Sequence, residues 1–147
     1  MKDAPSKPHE WVFDTNVLVS AFINRQGAPG RLLDAAYEGR VRLSYDRRMI
    51  EEYIAVLRRP KFGFEPATVG QFLAFLLLHG RGVEITGTHP YTLEDQDDQS
   101  FSEIAFTNNP PVIVTGNARD FRRAVPFGLI VLSPAGALAR IEPSRPG

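Results

Sequence analysis

Short runs of β-branched and aromatic residues alternate with longer stretches of helical period along most of this chain, and no other feature constrains its fold as tightly. Such alternation is the signature of βαβ units, in which parallel strands are joined by crossover helices that cover the sheet. The strands read as Trp11 to Asp14, Val41 to Tyr45, Val83 to Thr86, Pro111 to Thr115 and Leu129 to Leu132. Helical patterns fill the intervals: Thr15 to Phe22, Arg31 to a stop at Gly39, Arg47 to about Leu57 before Pro60, and Ala67 to Leu78 before Gly80. A helix near Asp97 to Phe106, a short piece around Ala118 to Arg123 and a last helix from Pro134 complete the set. The expected class is α/β: one domain over residues 11–142 with a central five-stranded parallel sheet flanked by helices. Residues 1–10 and 143–147 read as loose tails.

A chain of 147 residues is long enough to bury a core without staples. It has no cysteine, which excludes disulfides and thiolate metal sites and fits a reducing compartment. The N-terminus lacks the apolar centre of a signal peptide, and the longest apolar run, Phe72 to Leu78, is far shorter than the roughly 20 residues that span a bilayer. A soluble, cytoplasmic protein is expected. Seventeen basic and seventeen acidic residues cancel, so any case for a polyanionic partner has to be local.

In the run WVFDTNVLVSAFI a single carboxylate, Asp14, stands among residues bound for the interior. A buried lone carboxylate costs several kcal/mol unless it is hydrogen-bonded, paired or bound to a cation. In open α/β sheets ligands bind beyond the carboxyl ends of the strands. Asp14 ends the first strand, Asn117 and Asp120 follow the fourth, and the cluster EDQDD, Glu94 to Asp98, precedes the helix that feeds the fourth. The plain alternative is capping: Asp14, Asp46 and Asp97 or Asp98 could each be a helix N-cap and nothing more. On the helix RRMIEEYIAVL, Met49, Ile50, Tyr53, Ile54, Val56 and Leu57 form one face, with Glu52 at its edge and Glu51 opposite. Glu52 is either held at the rim of the core or simply solvated.

Several carboxylates aimed into one cleft repel one another and raise each other's pKa values unless a cation neutralises them. Oxygen ligands without cysteine favour Mg²⁺ or Mn²⁺ over zinc, and such an ion suits phosphodiester hydrolysis. His9, His79 and His89 have no site-like spacing and read as surface or loop residues.

Four segments, DTN at Asp14 to Asn16, SYDRRMIEEYIAVLRRPKF, EDQDDQSFSEIA and VTGNARDF, in this order and spacing, resemble PIN-domain ribonucleases. The likeness is closest to the toxins of bacterial toxin–antitoxin systems akin to VapC, and it covers roughly Val12 to Ile141. It implies a metal-dependent nuclease that cuts RNA by water attack on phosphorus, using Mg²⁺ or Mn²⁺. The catalytic acids it implies are Asp14, Glu52, Asp98 and Asp120, with Asp14 and Asp98 holding the metal and Glu52 and Asp120 orienting its waters. Thr15 or Asn16 would fix the Asp14 carboxylate by hydrogen bonds, and Thr115 and Asn117 would support the site from the segment after the fourth strand. This chain departs from the pattern at Asn117, where many relatives have an acid; either Asp120 replaces that carboxylate or it is lost and metal affinity is weaker. The likeness further implies a homodimer and an inhibitory antitoxin. The competing reading is a catalytically impaired PIN-like module that binds RNA or protein without cutting. A haloacid-dehalogenase-like phosphatase, which needs a second Asp two residues after the first, is disfavoured by Asn16.

An RNA substrate requires cations near the strand ends. Candidates are Arg25, Arg31, Arg58, Arg59, Lys61, Arg119, Arg122 and Arg123, of which Arg119 and Arg122 are favoured as substrate contacts by closeness to Asp120. Phe62 and Phe64 could stack on bases, although lining the core or an interface is the plainer reading. FLAFLLL could serve a dimer face, although the core is again the plainer reading.

Overall fold

The computed structural model describes residues 7–141. Five strands, β1 (His9–Phe13), β2 (Val41–Tyr45), β3 (Arg81–Gly82), β4 (Val112–Val114) and β5 (Ile130–Leu132), form one parallel sheet in the order β3-β2-β1-β4-β5. Among the described residues six α-helices accompany them: α1 (Thr15–Ile23), α2 (Ala28–Tyr37), α3 (Arg47–Leu57), α4 (Pro66–His79), α5 (Gln96–Ala105) and α6 (Pro134–Ile141). Two 3₁₀ segments, Pro60–Phe62 and Ala118–Phe127, complete the architecture. The α/β class with a five-stranded parallel sheet is as the sequence pattern requires.

The chain adds β2 and β3 on one side of β1 and then returns to add β4 and β5 on the other. The order therefore reverses between β1 and β4, and a crevice opens at their carboxyl ends. Val12, Phe13, Val112, Ile113 and Val114 are buried on both sides of that junction, as central strands of a covered parallel sheet must be. Helix α5 packs against β1, β2 and β4, while α2 packs against α1, α6 and β2. The stripe on α3 behaves as its period demands: Met49, Tyr53, Val56 and Leu57 are buried, Glu51 is exposed and Glu52 lies between.

Three expectations shift. The third strand is Arg81–Gly82 and not Val83 to Thr86. Tyr45 pairs with Gly82 and its carbonyl accepts one more bond, from Val83 N at 2.8 Å, but β2 ends there because Asp46 turns the chain into α3. Beyond Val83 no neighbouring strand remains, although Val83 and Ile85 still face inward in alternation. The first strand begins at His9, inside the segment read as a tail, with His9 opposite Val41. Helix α2 begins at Ala28, with a proline in its first turn, so the loop before it is shorter than the run NRQGAPG. The predicted C-terminal tail, residues 143–147, lies outside the described residues.

FLAFLLL divides between two environments: Phe72, Leu73 and Leu76 are buried, while Leu77 and Leu78 are exposed. Among the described residues no helix is long and apolar enough to cross a membrane.

Candidate active site

Strand register sets the centre of the site. Phe13 lies opposite Val114, so the next residues, Asp14 and Thr115, are neighbours where the two strands end; Asp14 N continues the ladder by donating to Val114 O at 2.9 Å. The Thr115 hydroxyl donates to Asp14 Oδ2 at 2.8 Å and in turn accepts from Asn117 N at 2.9 Å. Asn16 Nδ2 donates to the same Asp14 oxygen at 3.3 Å, while Asn16 Oδ1 accepts from Gly116 N at 3.2 Å. Asn16 thus clamps the loop after β4 against the start of α1. Asp14 occupies the N-cap position of α1, yet its side chain makes no cap bond. Thr15 reaches the Asp14 carboxylate through its backbone amide, while its buried hydroxyl has no hydrogen-bond partner among the described residues.

Helix α3 is tied to this point by Tyr53, whose buried hydroxyl donates to the Phe13 carbonyl. That bond fixes the rotation of α3 and turns Glu52, the preceding residue, toward the strand ends. From the other side comes α5. Its cap is Asp95, which accepts from Asp97 N at 2.8 Å and Asp98 N at 3.2 Å, leaving the Asp97 and Asp98 side chains free in the first turn. The cap is therefore neither Asp97 nor Asp98. The helix N-terminus favours negative charge there and offsets part of the crowding. Asp120 stands in the first turn of the 3₁₀ segment after β4, where Asp120 N bonds Asn117 O at 3.0 Å.

The electrostatics show which of these acids share a space. Burial raises the Asp14 carboxyl; its hydrogen bonds from Thr115 and the Thr15 amide oppose this, and the charges of Asp120 and Asp95 add to it. Burial, then the charges of Asp14, Asp95, Asp120 and Asp97, push the Asp98 carboxyl up to about 7. Glu52 is raised by burial and by Asp97, against the pull of Arg59, with further push from Asp95 and Asp14. Asp14, Glu52, Asp98 and Asp120 thus come into one neighbourhood together with Asp95 and Asp97. Asn117 is exposed and meets the site through its backbone amide.

A cleft of about 290 Å³ opens beside Asp98 and Asp120, lined also by Asp95, Arg119, Arg122 and Arg123. Arg123 is engaged with Glu94 at 3.6 Å and the Thr92 carbonyl at 3.4 Å. Arg119 and Arg122 are exposed and make no ion pair among the described residues. Acids at the floor and free guanidinium groups at the wall suit a phosphodiester beside a divalent cation. The donor set is carboxylate oxygen throughout, as a hard cation requires. Among the described residues, however, no three carboxylates or imidazoles close into a ready-made cage, so the fit is one of donor type and mutual repulsion.

His89 lies in a loop, as read, but is only partly exposed. It packs against Tyr91 and Phe106 and lies 3.7 Å from Glu103, away from the cleft. Two features were missed from sequence: the Tyr53 tether, whose signal is a hydroxyl on an otherwise apolar stripe, and the Asp95 cap, whose signal is an acid three residues ahead of Asp98.

A family model described as PIN domain matches residues 10–119. The match takes in Asp14, Glu52, Asp98, Thr115 and Asn117 and stops one residue short of Asp120. An uncharacterized protein of Methanocaldococcus jannaschii is 28% identical over 108 residues, covering 72% of this chain and 69% of that relative.

Proposed function

This chain belongs to the PIN-domain family, and from that premise we propose that it is a metal-dependent endoribonuclease, the toxin of a toxin–antitoxin pair. PIN domains are in general nucleases that bind RNA and use divalent metal ions. The observation that carries the reading is the pair Asp14 and Asp98. Asp14 pushes the Asp98 carboxyl up, Asp120 and Asp95 push Asp14 up, and neither Asp14 nor Asp98 has a cationic side chain to compensate it among the described residues. A cation shared by the two supplies that compensation.

In this reading Asp14, locked by Thr115 and Asn16, and Asp98, at the start of α5, hold Mg²⁺ or Mn²⁺. A bound ion would polarise a phosphoryl oxygen and acidify the attacking water. Glu52 and Asp120 accept hydrogen bonds from waters at the flanks and so direct one of them at phosphorus. Arg119 and Arg122 take phosphate oxygens along the cleft wall. The antitoxin partner, the homodimer and a cytoplasmic location belong to the same proposal and rest on the motif likeness.

The test is cleavage of a mixed RNA pool with Mn²⁺, with cut ends mapped, for the wild type and for Asp14→Asn and Asp98→Asn. Cleavage by the wild type alone supports the reading; equal cleavage by both variants, or by the wild type in excess chelator, overturns it. The exposed Asn117 and the open arrangement of the acids favour a second reading, an impaired module that binds RNA without cutting. RNA binding without Mn²⁺-dependent cleavage would select it.

A further inference from the structure

The segment from Arg58 to Phe64 follows α3 and supplies none of the clustered acids, yet it combines three exposed cations with a pair of stacked rings. Phe62 and Phe64 lie 5.3 Å apart between centroids with their planes 9° from parallel. Phe64 is rooted in the interior: Phe22 meets it edge-on at 5.3 Å, and Phe22 meets the wholly buried Phe72 in the same way at 5.9 Å. The core reading therefore accounts for Phe64. It does not account for Phe62, which is only partly buried and whose ring packs on Phe64 from outside. Lys61 holds its ammonium over the Phe62 ring, 5.0 Å from the centroid.

The backbone is shaped for this pair. Gly63, between the two phenylalanines in sequence, has φ +61°, and an added Cβ there would meet no atom within 4 Å. Glycine is needed for the left-handed turn and not for space. Arg58, Arg59 and Lys61 make no ion pair among the described residues. Arg59, two residues beyond the end of α3, does sense Glu52 on that helix. From Glu52 to the end of the helix at Leu57 the rise is about 8 Å at 1.5 Å per residue, a span a short piece of single strand covers.

We propose that Arg58–Phe64 is a docking platform for single-stranded RNA, with one unpaired base stacking on Phe62 and adjacent phosphates meeting Arg58, Arg59 and Lys61. The inference rests on the nuclease reading, since the strand it seats is the one that reaches the acids. Charge selects the occupant: a cluster of unpaired cations around an aromatic face matches a polyanion carrying flat bases. Base stacking outweighs an exposed cation–π contact, so an incoming base displaces Lys61 toward the phosphates.

The experiment measures affinity in excess chelator, where cleavage is suppressed, with a labelled single-stranded RNA of about ten nucleotides and copies each lacking one base. Phe62→Ala is expected to weaken binding about tenfold at an unchanged melting temperature, while Phe62→Trp binds as the wild type does. The wild type loses affinity when one particular base is missing, and Phe62→Ala is indifferent to that base. Equal affinity of Phe62→Ala and wild type overturns the proposal, as does an equal loss toward heparin, which has no bases. A change confined to self-association in sedimentation also overturns it and assigns the surface to protein contact. The nuclease reading fails separately: a wild type that binds through Phe62 but never cleaves keeps the platform and sinks the activity. Cleavage that depends on Asp14 but ignores Phe62 does the reverse.

Discussion

Asp14 and Asp46 occupy equivalent places. Each immediately follows a parallel strand, each sits at the N-cap position of the next helix, and each is 7% exposed. Their surroundings differ. Asp46 accepts from Met49 N at 3.0 Å and pairs with Arg48 at 2.7 Å, and Arg48 reaches on to Glu103 at 3.0 Å. Its buried charge is answered by a helix N-terminus and a guanidinium. Asp14 makes no cap bond, takes its side-chain hydrogen bonds from the neutral Thr115 hydroxyl and Asn16 amide, and faces other acids. Position and residue type do not separate a structural carboxylate from a functional one. The presence or absence of a cation from the chain itself does.

The contrast breaks most visibly in activity. Asp14→Asn is expected to lower Mn²⁺-dependent RNA cleavage by at least about 100-fold, whereas Asp46→Asn, which keeps a capping side chain, leaves it within a few-fold; equal losses would erase the distinction. Stability should separate them in the opposite sense. Asp46→Ala removes a cap worth about 1 kcal/mol together with its ion pair, and calorimetry should show a melting temperature lower by about 2–6 °C. Asp14→Asn without metal should melt no lower than the wild type, because it removes a charge that burial disfavours.

A smaller effect follows from pH. The Asp98 carboxyl sits near 7 and those of Asp14 and Glu52 are also raised, so between the ordinary carboxylate range and pH 7 the folded state binds more protons than the unfolded. Their contribution is fully present below the unfolded pKa, near 4, and is lost as pH rises through the folded value. Metal-free protein should therefore melt progressively lower from pH 4 to 7, and Asp98→Asn should flatten that slope. A steeper slope in the variant would contradict the assignment. The smallest effect concerns the cleft wall: Arg122→Ala should weaken RNA binding evenly across sequences and reduce the salt dependence of log K by about one, read from affinity against ionic strength.

The sheet was legible because buried parallel strands and amphipathic helices leave periodic marks; Met49, Tyr53 and Leu57 announce their face at 100° per residue. The Val83 to Thr86 run misled for the same reason. Its alternation is real, but pairing depends on where β2 ends, which is set elsewhere in the chain by Asp46. Asp14 stood out because a charge interrupts an apolar run, and Glu52 because it edges a stripe. The Thr115 hydroxyl bond to Asp14 depends on the register of two strands a hundred residues apart, which no local pattern carries. In the Asp95 to Asp98 turn the sequence offered Asp97 or Asp98 as the cap, and the backbone bonds assign that place to Asp95.

Mn²⁺ titration at pH 7, followed by loss of the free ion's paramagnetic resonance, tests the central claim most directly. Wild type and Asp46→Asn should bind the ion, while Asp14→Asn and Asp98→Asn should each lose that binding. Undiminished binding by Asp14→Asn would contradict the account, because the one buried carboxylate that has no cation of its own among the described residues would then have no part in holding the metal.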